Sequence, residues 1–393
     1  TGSNGFEMDV VDTGTTAFML CCIIGLTLMI PGLALFYGGM VSVKSSTNMM
    51  MMTFGAVAVV GVIWVLFGFS MVFGTSYGGY LGSLTEFAGM KDLLESQTTI
   101  SGLPISLFSI FQALFAAITV ALISGAVADR MKFGAWMGFA TLWAVLVYFP
   151  VAHWVFAFDG VVTEDSVGGW IANKLKAIDF AGGTAVHINA GAAALAVAIV
   201  LGKSKNWGQL RKPHNVPLTL LGAGLLWAGW YAFNGGSALA AGNSAAIVMV
   251  TTFVATCAST LAWIAVEKFK DGHVTGVGAA SGAITGLVAI TPACGAVTPV
   301  GAIILGAIAG AICVYAVGLK DRFGYDDSLD VVGVHLVGGV VGTLLIGFLA
   351  SDSMPNATNG LFYGGGVEQL WKQAVAAGAV MAYSFAVAFL IAF

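Results

Sequence analysis

The sequence predicts an all-α integral membrane protein with 11 transmembrane helices, and three observations support that fold class. Of the 393 residues, 58% are hydrophobic and only 9% carry a charge, whereas soluble domains carry about 25% charged residues. The chain contains 54 glycines, and they lie mainly inside apolar segments, where small residues let membrane helices approach closely. Eleven long apolar windows follow one another along the chain. Together these features indicate tightly packed helices in lipid rather than a water-facing globule.

Most of the eleven windows reach the roughly 20 residues that a helix needs to cross a bilayer. With the N-terminus placed outside, the inner connections hold eleven of the lysines and arginines and the outer connections hold four. Because positive residues concentrate on the cytoplasmic side, we expect a multi-pass protein of the cell (plasma or inner) membrane with a cytoplasmic C-terminus. The windows fall near residues 14–40, 49–74, 104–128, 133–158, 181–202, 216–239, 245–266, 274–292, 296–319, 330–350 and 371–393.

The first ten helices divide into two halves of five, about 14–202 and 216–350, and a final helix follows near 371–393. Since five is odd, a second half with the same fold would enter the membrane upside down, as in transporters with inverted repeats. Asp179 precedes His187 where the fifth helix begins, and Asp330 precedes His335 where the tenth begins, at spacings of eight and five residues. We therefore expect one membrane domain over residues 1–393, with its working site near the midplane between the halves.

The interiors of the predicted spans hold almost no ionisable residues, which argues against a pump or a cation-coupled carrier. His187 and His335 are the main exceptions. Either histidine alone would be interpreted as structural, but two at matched places in two halves favour a shared role. Neighbouring imidazoles can share one proton, so the pair could relay a proton or orient a small polar molecule. We expect no enzymatic activity, cofactor, metal or nucleic-acid partner.

Four stretches of this sequence resemble the signatures of Amt-type ammonium transporters, in the Amt/Mep/Rh superfamily. They begin at Pro31, Asp179, Gly229 and Asp330, and they read PGLALFYGG, DFAGGTAVHIN, GWYAFNGGS and DVVGVH. The resemblance covers all eleven predicted helices. It implies ammonium uptake through a pore in each subunit of a homotrimer, with a PII-type regulatory protein as a partner on the cytoplasmic face.

The resemblance also assigns an outer site that recruits the ammonium ion through aromatic faces and a hydroxyl. The matching residues here are Phe111, Phe156, Trp230 and Ser237, and Asp179 matches a supporting acid behind them. Well-studied members carry tryptophan where this chain has Phe156, which keeps a π-face but lacks the indole N–H. The residues alone leave simpler interpretations open: packing for the aromatic side chains, a helix–helix hydrogen bond for Ser237 and a helix cap for Asp179.

Below the outer site, the resemblance implies a stacked phenylalanine gate at Phe115 and Phe233 and twin pore histidines at His187 and His335. In this scheme the ion is deprotonated, ammonia crosses an apolar pore, and the proton is relayed separately. Two alternatives remain open. One is an electroneutral ammonia gas channel of the Rhesus type, and the other is an ammonium sensor domain with little flux.

Overall fold

A computed structural model describes residues 11–94, 102–162, 165–205, 207–208 and 212–393. The predicted outer N-terminus and Arg211, one of the cations used for the orientation, lie outside these residues. Within them, eleven main helices occupy the positions of the eleven windows. In chain order these helices, α1 to α11, are Thr13–Met40, Val43–Phe73, Ile105–Val127, Phe133–Phe156, Gly183–Leu201, Val216–Ala238, Asn243–Asp271, Gly276–Ile290, Pro299–Phe323, Val332–Leu349 and Glu368–Ala392.

Ten of these helices are long and apolar enough to cross a membrane, counted over the described ranges. The remaining helix, α8, has 15 residues, which gives about 22 Å at 1.5 Å per residue. That length is below the roughly 30 Å of a hydrocarbon core. Nearly all of α8 is buried, and the chain continues from it through a buried turn segment at residues 291–297. The eighth window therefore forms a short internal helix surrounded by other helices.

Helices α5 and α10 cross in opposite directions, and a glycine in each permits close contact. Gly191 of α5 lies against Leu336 of α10, while Gly339 of α10 lies against Ile188 of α5. A Cβ added at Gly191 would meet the Leu336 Cβ at 2.5 Å, and one added at Gly339 would meet the Ile188 Cγ1 at 3.0 Å. Each glycine follows the histidine of its own helix by four residues. The same packing device therefore recurs in both halves of the chain.

Both of these helices begin with a π-helical stretch, Gly183–Ile188 and Val332–Leu336, that contains the histidine. The Asp179 Oδ2 accepts from the backbone N–H groups of residues 184 and 185, at 3.1 and 3.0 Å. The Asp327 carboxylate accepts from those of residues 331 and 332, at 3.1 and 2.7 Å. Each carboxylate thus satisfies backbone donors that a helix start leaves without partners.

The counterpart of Asp179 is therefore Asp327, and the predicted pairing of Asp179 with Asp330 is corrected. Asp327 precedes His335 by eight residues, which is the spacing of Asp179 to His187. Asp330 instead forms an ion pair with Lys320, with 2.5 Å between the lysine Nζ and Oδ1. Asp330 is the nearer of the two aspartates to His335 in the sequence, but the backbone hydrogen bonds identify Asp327 as the capping residue.

The last helix, α11, packs along α5 and α10, the two helices that carry the histidines. In the connection after α2, strands β1 (Ser76–Tyr77) and β2 (Leu81–Gly82) form a short antiparallel hairpin. The shorter helical segments of the connections are Ala88–Met90, Ile171–Leu175 and Leu361–Tyr363.

Candidate functional site

The two predicted pore histidines meet inside the molecule. The Nδ1 atoms of His187 and His335 lie 3.0 Å apart, and the two rings are nearly parallel, with centroids 5.2 Å apart. Both side chains are buried. A hydrogen bond between two Nδ1 atoms requires that one nitrogen carries a proton and the other accepts it. The His187 Nε2 is buried and has no hydrogen-bond partner among the described residues, so it remains free to face a small polar molecule.

Trp230, which the resemblance assigns to the outer site, lies against the ring of His187. Its ring stacks on the His187 ring with centroids 5.2 Å apart and an interplanar angle of 14°. The indole N–H donates to the Thr291 hydroxyl at 2.8 Å, and that hydroxyl donates to the Leu287 carbonyl at 2.6 Å. Along α6, Trp230 precedes Phe233 by about one turn, whereas Ser237 follows it by about one turn. Trp230 and Ser237 are therefore about two helical turns apart along α6, with Phe233 between them in the sequence.

The predicted gate residues form a parallel stack. The ring centroids of Phe115 and Phe233 are 4.0 Å apart, with an interplanar angle of 4°, and neither side chain has exposed surface. The Phe233 ring also lies 6.1 Å from the His187 ring. The stack is therefore adjacent to the histidine pair.

Two of the remaining predicted recruitment residues contact the Phe115 ring, and Ser237 follows a glycine that contacts one of them. Phe111 lies 4.9 Å from that ring and Phe156 lies 5.9 Å from it, between centroids. Phe111 contacts the chain at Gly236, where an added Cβ would meet the phenylalanine ring at 2.7 Å. The Ser237 hydroxyl donates to the Phe233 carbonyl at 2.7 Å. Because its proton is used in that bond, the lone pairs of Ser237 are left as acceptors.

Asp179 lies behind Phe156. The Phe156 ring approaches Gly182, which has φ of +107° and therefore a backbone conformation suited to glycine. The Asp179 Oδ1 is buried and has no hydrogen-bond partner within the described part of the chain, whereas Oδ2 caps α5. Burial raises the pKa of Asp179 from 3.8 to about 6, against the opposing effect of the capping amides. Trp154 points away from this group and packs on Trp170 and Tyr383.

A narrow cavity lies next to the histidine pair, bordered by His335 and Trp230. The volume in which the centre of a water molecule can lie is about 10 Å³. One ordered water requires about this much space. Apart from His335 and Trp230, its lining consists of apolar side chains: Met29, Leu33, Phe36, Ile118, Leu122, Leu226 and Ile284. A hydrated ion would lose its water shell there without replacement, while a small neutral molecule would fit.

Several residues that organise this site were not singled out from the sequence. Asp327, Thr291 and the glycine pair Gly191 and Gly339 each have a role that only the fold reveals. The repeated spacing of Asp, His and Gly at relative positions 0, 8 and 12 in both halves was present in the sequence. Aligning the two halves on their histidines would have found it.

The chain matches the model of the Ammonium Transporter Family over residues 17–393. It is 54% identical to an ammonium transporter of Mycobacterium tuberculosis, covering 98% of this chain and 85% of the relative. Its fold is similar to the crystal structure of Candida albicans Mep2, with a TM-score of 0.87, 34% identity, and coverage of 97% and 84% of the two chains. It is also similar to a sensor Amt protein, with a TM-score of 0.88, 28% identity, and coverage of 96% and 92%.

Proposed function

This chain belongs to the ammonium transporter family, and from that premise we propose that it takes up ammonium by deprotonating the ion and conducting ammonia past twin histidines. Membership is supported by the family match over residues 17–393 and by relatives named as ammonium transporters. The observation that carries the mechanism is the contact between His187 and His335, placed directly below the stacked Phe115 and Phe233 rings.

Recruitment occurs above the gate in this proposal. Phe111 and Phe156 offer aromatic faces to the cation, and the Ser237 lone pairs accept a hydrogen bond from it. A desolvated cation over an aromatic face gains about 2 kcal/mol or more. Asp179 supports the site through its negative charge and through the cap that it forms on α5. Trp230 contributes its ring to the histidine side of the gate, and not to recruitment.

The ion then loses a proton, because moving a charge into a low-dielectric interior costs tens of kcal/mol by Born solvation. Ammonia is small and neutral, so it passes when the Phe115 and Phe233 rings move apart. In the apolar lumen it exchanges hydrogen bonds with the free nitrogen atoms of the histidine pair. Potassium cannot shed its charge and is excluded by the cost of dehydration.

The proton crosses separately in this scheme, through the histidine pair and transient water. The bond between the two Nδ1 atoms supports this step, since one shared proton links the two rings. Transport then carries net charge. An electroneutral gas channel of the Rhesus type would instead carry none.

We propose the following arrangement in the membrane. Helix α8 and residues 291–297 together cross the membrane, which brings the number of crossings to eleven. This short helix is tolerated because it is surrounded by protein. The halves 14–202 and 216–350 are inverted repeats, supported by the recurring capping aspartate, histidine and glycine. The N-terminus faces outward in the cell membrane, and three subunits assemble with one pore each. A PII-type regulatory protein is the proposed cytoplasmic partner.

A sensor domain is the second candidate function, favoured by the similarity to a sensor Amt protein. A sensor would bind ammonium with little flux, whereas a transporter would move many ions per binding event.

Reconstitution into proteoliposomes separates these functions when flux and current are recorded together. We expect ammonium and methylammonium to evoke both uptake and an inward current that saturate with concentration, and potassium to evoke neither. Uptake without current would favour the gas channel. Saturable binding without either flux or current would contradict transport and favour the sensor.

A further inference from the structure

A buried glutamine of the last helix holds the backbone immediately before Asp179. Gln373 lies on α11 and has no exposed surface. Its Oε1 accepts from the Ile178 N–H at 2.6 Å, and its Nε2 donates to the Ile178 carbonyl at 2.7 Å. One side chain therefore satisfies both polar groups of one backbone residue, as a neighbouring strand would. This pairing also fixes the orientation of the amide.

The amide of Gln373 is itself held by a residue of its own helix and by α10. The Gln369 Nε2, one turn earlier on α11, donates to its Oε1 at 2.8 Å. The Gln373 Nε2 also reaches the Thr343 carbonyl of α10 at 3.3 Å. The glutamine thus connects α10, α11 and the segment that leads into α5.

The segment at residues 176–182 needs such anchors because it has no regular secondary structure. On the far side of Asp179, the Phe180 N–H donates to the Pro292 carbonyl at 3.1 Å, and the Ala181 N–H donates to the Thr291 carbonyl at 3.2 Å. Asp179 therefore lies between two anchors, with Gln373 on one side and the turn after α8 on the other. Moving either anchor would move the carboxylate relative to Phe156 and to the start of α5.

We propose that Gln373 is a positioning residue for ammonium recruitment, which acts by fixing the Asp179 carboxylate behind the outer site. This inference rests on the proposed function. The hydrogen bonds of Gln373 go to Ile178, Gln369 and Thr343 and not to the aromatic cluster or the histidines, so we infer that it acts through the position of Asp179. The last helix, which lies outside both predicted halves, thereby contributes to the site without lining the pore.

Replacing Gln373 with methionine tests the proposal, because Gln373→Met keeps the length of the side chain and removes both bonds to Ile178. The matched control is Ser384→Ala on the same helix, which removes a buried bond of 2.7 Å to the Asn189 carbonyl of α5. In proteoliposomes we expect Gln373→Met to raise the half-saturation concentration for ammonium-evoked current about three- to tenfold, with the maximal current within about twofold of wild type. Ser384→Ala is expected to change neither quantity by more than about twofold.

An unchanged half-saturation concentration in folded Gln373→Met would overturn the proposal. So would a loss confined to the maximal current in both variants, since that pattern indicates general packing. The wild-type protein distinguishes this failure from a failure of the proposed function. If the wild type itself shows no saturable current or flux, the transport function fails before the glutamine is tested.

Gln373→Glu provides a second test with an isosteric side chain that also serves if the methionine variant does not fold. A neutral carboxyl group keeps one donor and one acceptor for Ile178, whereas an ionised one has no donor. The charged and titratable groups around the segment are Asp179, Lys176, Tyr148 and Cys294, together with the ion pair of Glu368 and Lys372 on α11.

The wild type and Gln373→Glu both contain these groups. The ratio of their half-saturation concentrations therefore reports the effect of the new carboxyl group alone. We expect that ratio of half-saturation concentrations to be near one at about pH 5 and to rise severalfold by about pH 8, as the carboxyl group ionises. A ratio of one at every pH would contradict the positioning role.

Discussion

Replacing Gly191 with alanine should separate the two histidines without touching either of them. The added Cβ would meet the Leu336 Cβ at 2.5 Å and the Leu336 backbone nitrogen at 2.6 Å, whereas ordinary contacts begin at 3.4 Å. Raising 2.5 Å to 3.4 Å requires a shift of about 0.9 Å, and backbone atoms of a packed helix cannot yield locally. The same shift at the histidines would lengthen the 3.0 Å contact of the Nδ1 atoms to about 3.9 Å, beyond hydrogen-bond range.

The assay is ammonium-evoked current in proteoliposomes, with thermal unfolding as a separate measure of stability. We expect the current of Gly191→Ala to fall at least about tenfold, because misplacing a site by about 1 Å has costs of that order or larger. Gly138→Ala is the matched control, since a Cβ at Gly138 meets nothing within 4 Å. A folded Gly191→Ala protein with the current of wild type would refute the reasoning that close helix contact holds the histidine pair.

Three further predictions follow from the site. Burial, with a contribution from Asp330, raises the pKa of Asp327 from 3.8 to about 6, so the native state binds a proton more tightly than the unfolded chain. Stability should therefore decline as pH rises from about 3.8 to about 6, and Asp327→Asn should reduce the decline in the midpoint of thermal unfolding. If the midpoint of Asp327→Asn depends on pH as that of the wild type does, this prediction is contradicted. Phe156→Trp should lower the half-saturation concentration about two- to fivefold, since indole is the strongest cation–π partner; an unchanged or higher value would contradict a recruitment role. Phe115→Ala should remove the stacked gate at a loss of about 3–5 kcal/mol in unfolding free energy, yet potassium should still evoke no current, because the apolar passage beside the histidines still removes its water shell; a potassium-evoked current would show that the phenylalanine stack is itself the barrier.

The sequence predicted the membrane helices because a long apolar window has few alternatives in lipid. Ten windows became helices long enough to cross, with ends at most six residues from the prediction, the largest difference being at Val43. The eighth window became the 15-residue helix α8. Its apolar composition resembles that of a longer span, and hydropathy cannot distinguish burial against protein from burial against lipid.

The site could be predicted only in part. The contact of His187 with His335 joins residues 148 positions apart, and matched places in two halves were enough to anticipate it. The stacking of Trp230 on His187 was not predicted, because the two residues lie on different helices and the sequence does not show which helix faces meet. The role of Gln373 could not be predicted from the sequence, because a single amide in an apolar helix matches no motif. Its partner, the backbone of Ile178, is distant in the sequence.

The claim that the proton crosses through the histidine pair is tested most directly by replacing both His187 and His335 with leucine. The measurement is the ammonium-evoked current in proteoliposomes. We expect this current to be lost, because leucine has no ring nitrogen that could accept or donate the proton. An undiminished current in the folded double variant would contradict the claim that the proton crosses through the histidine pair.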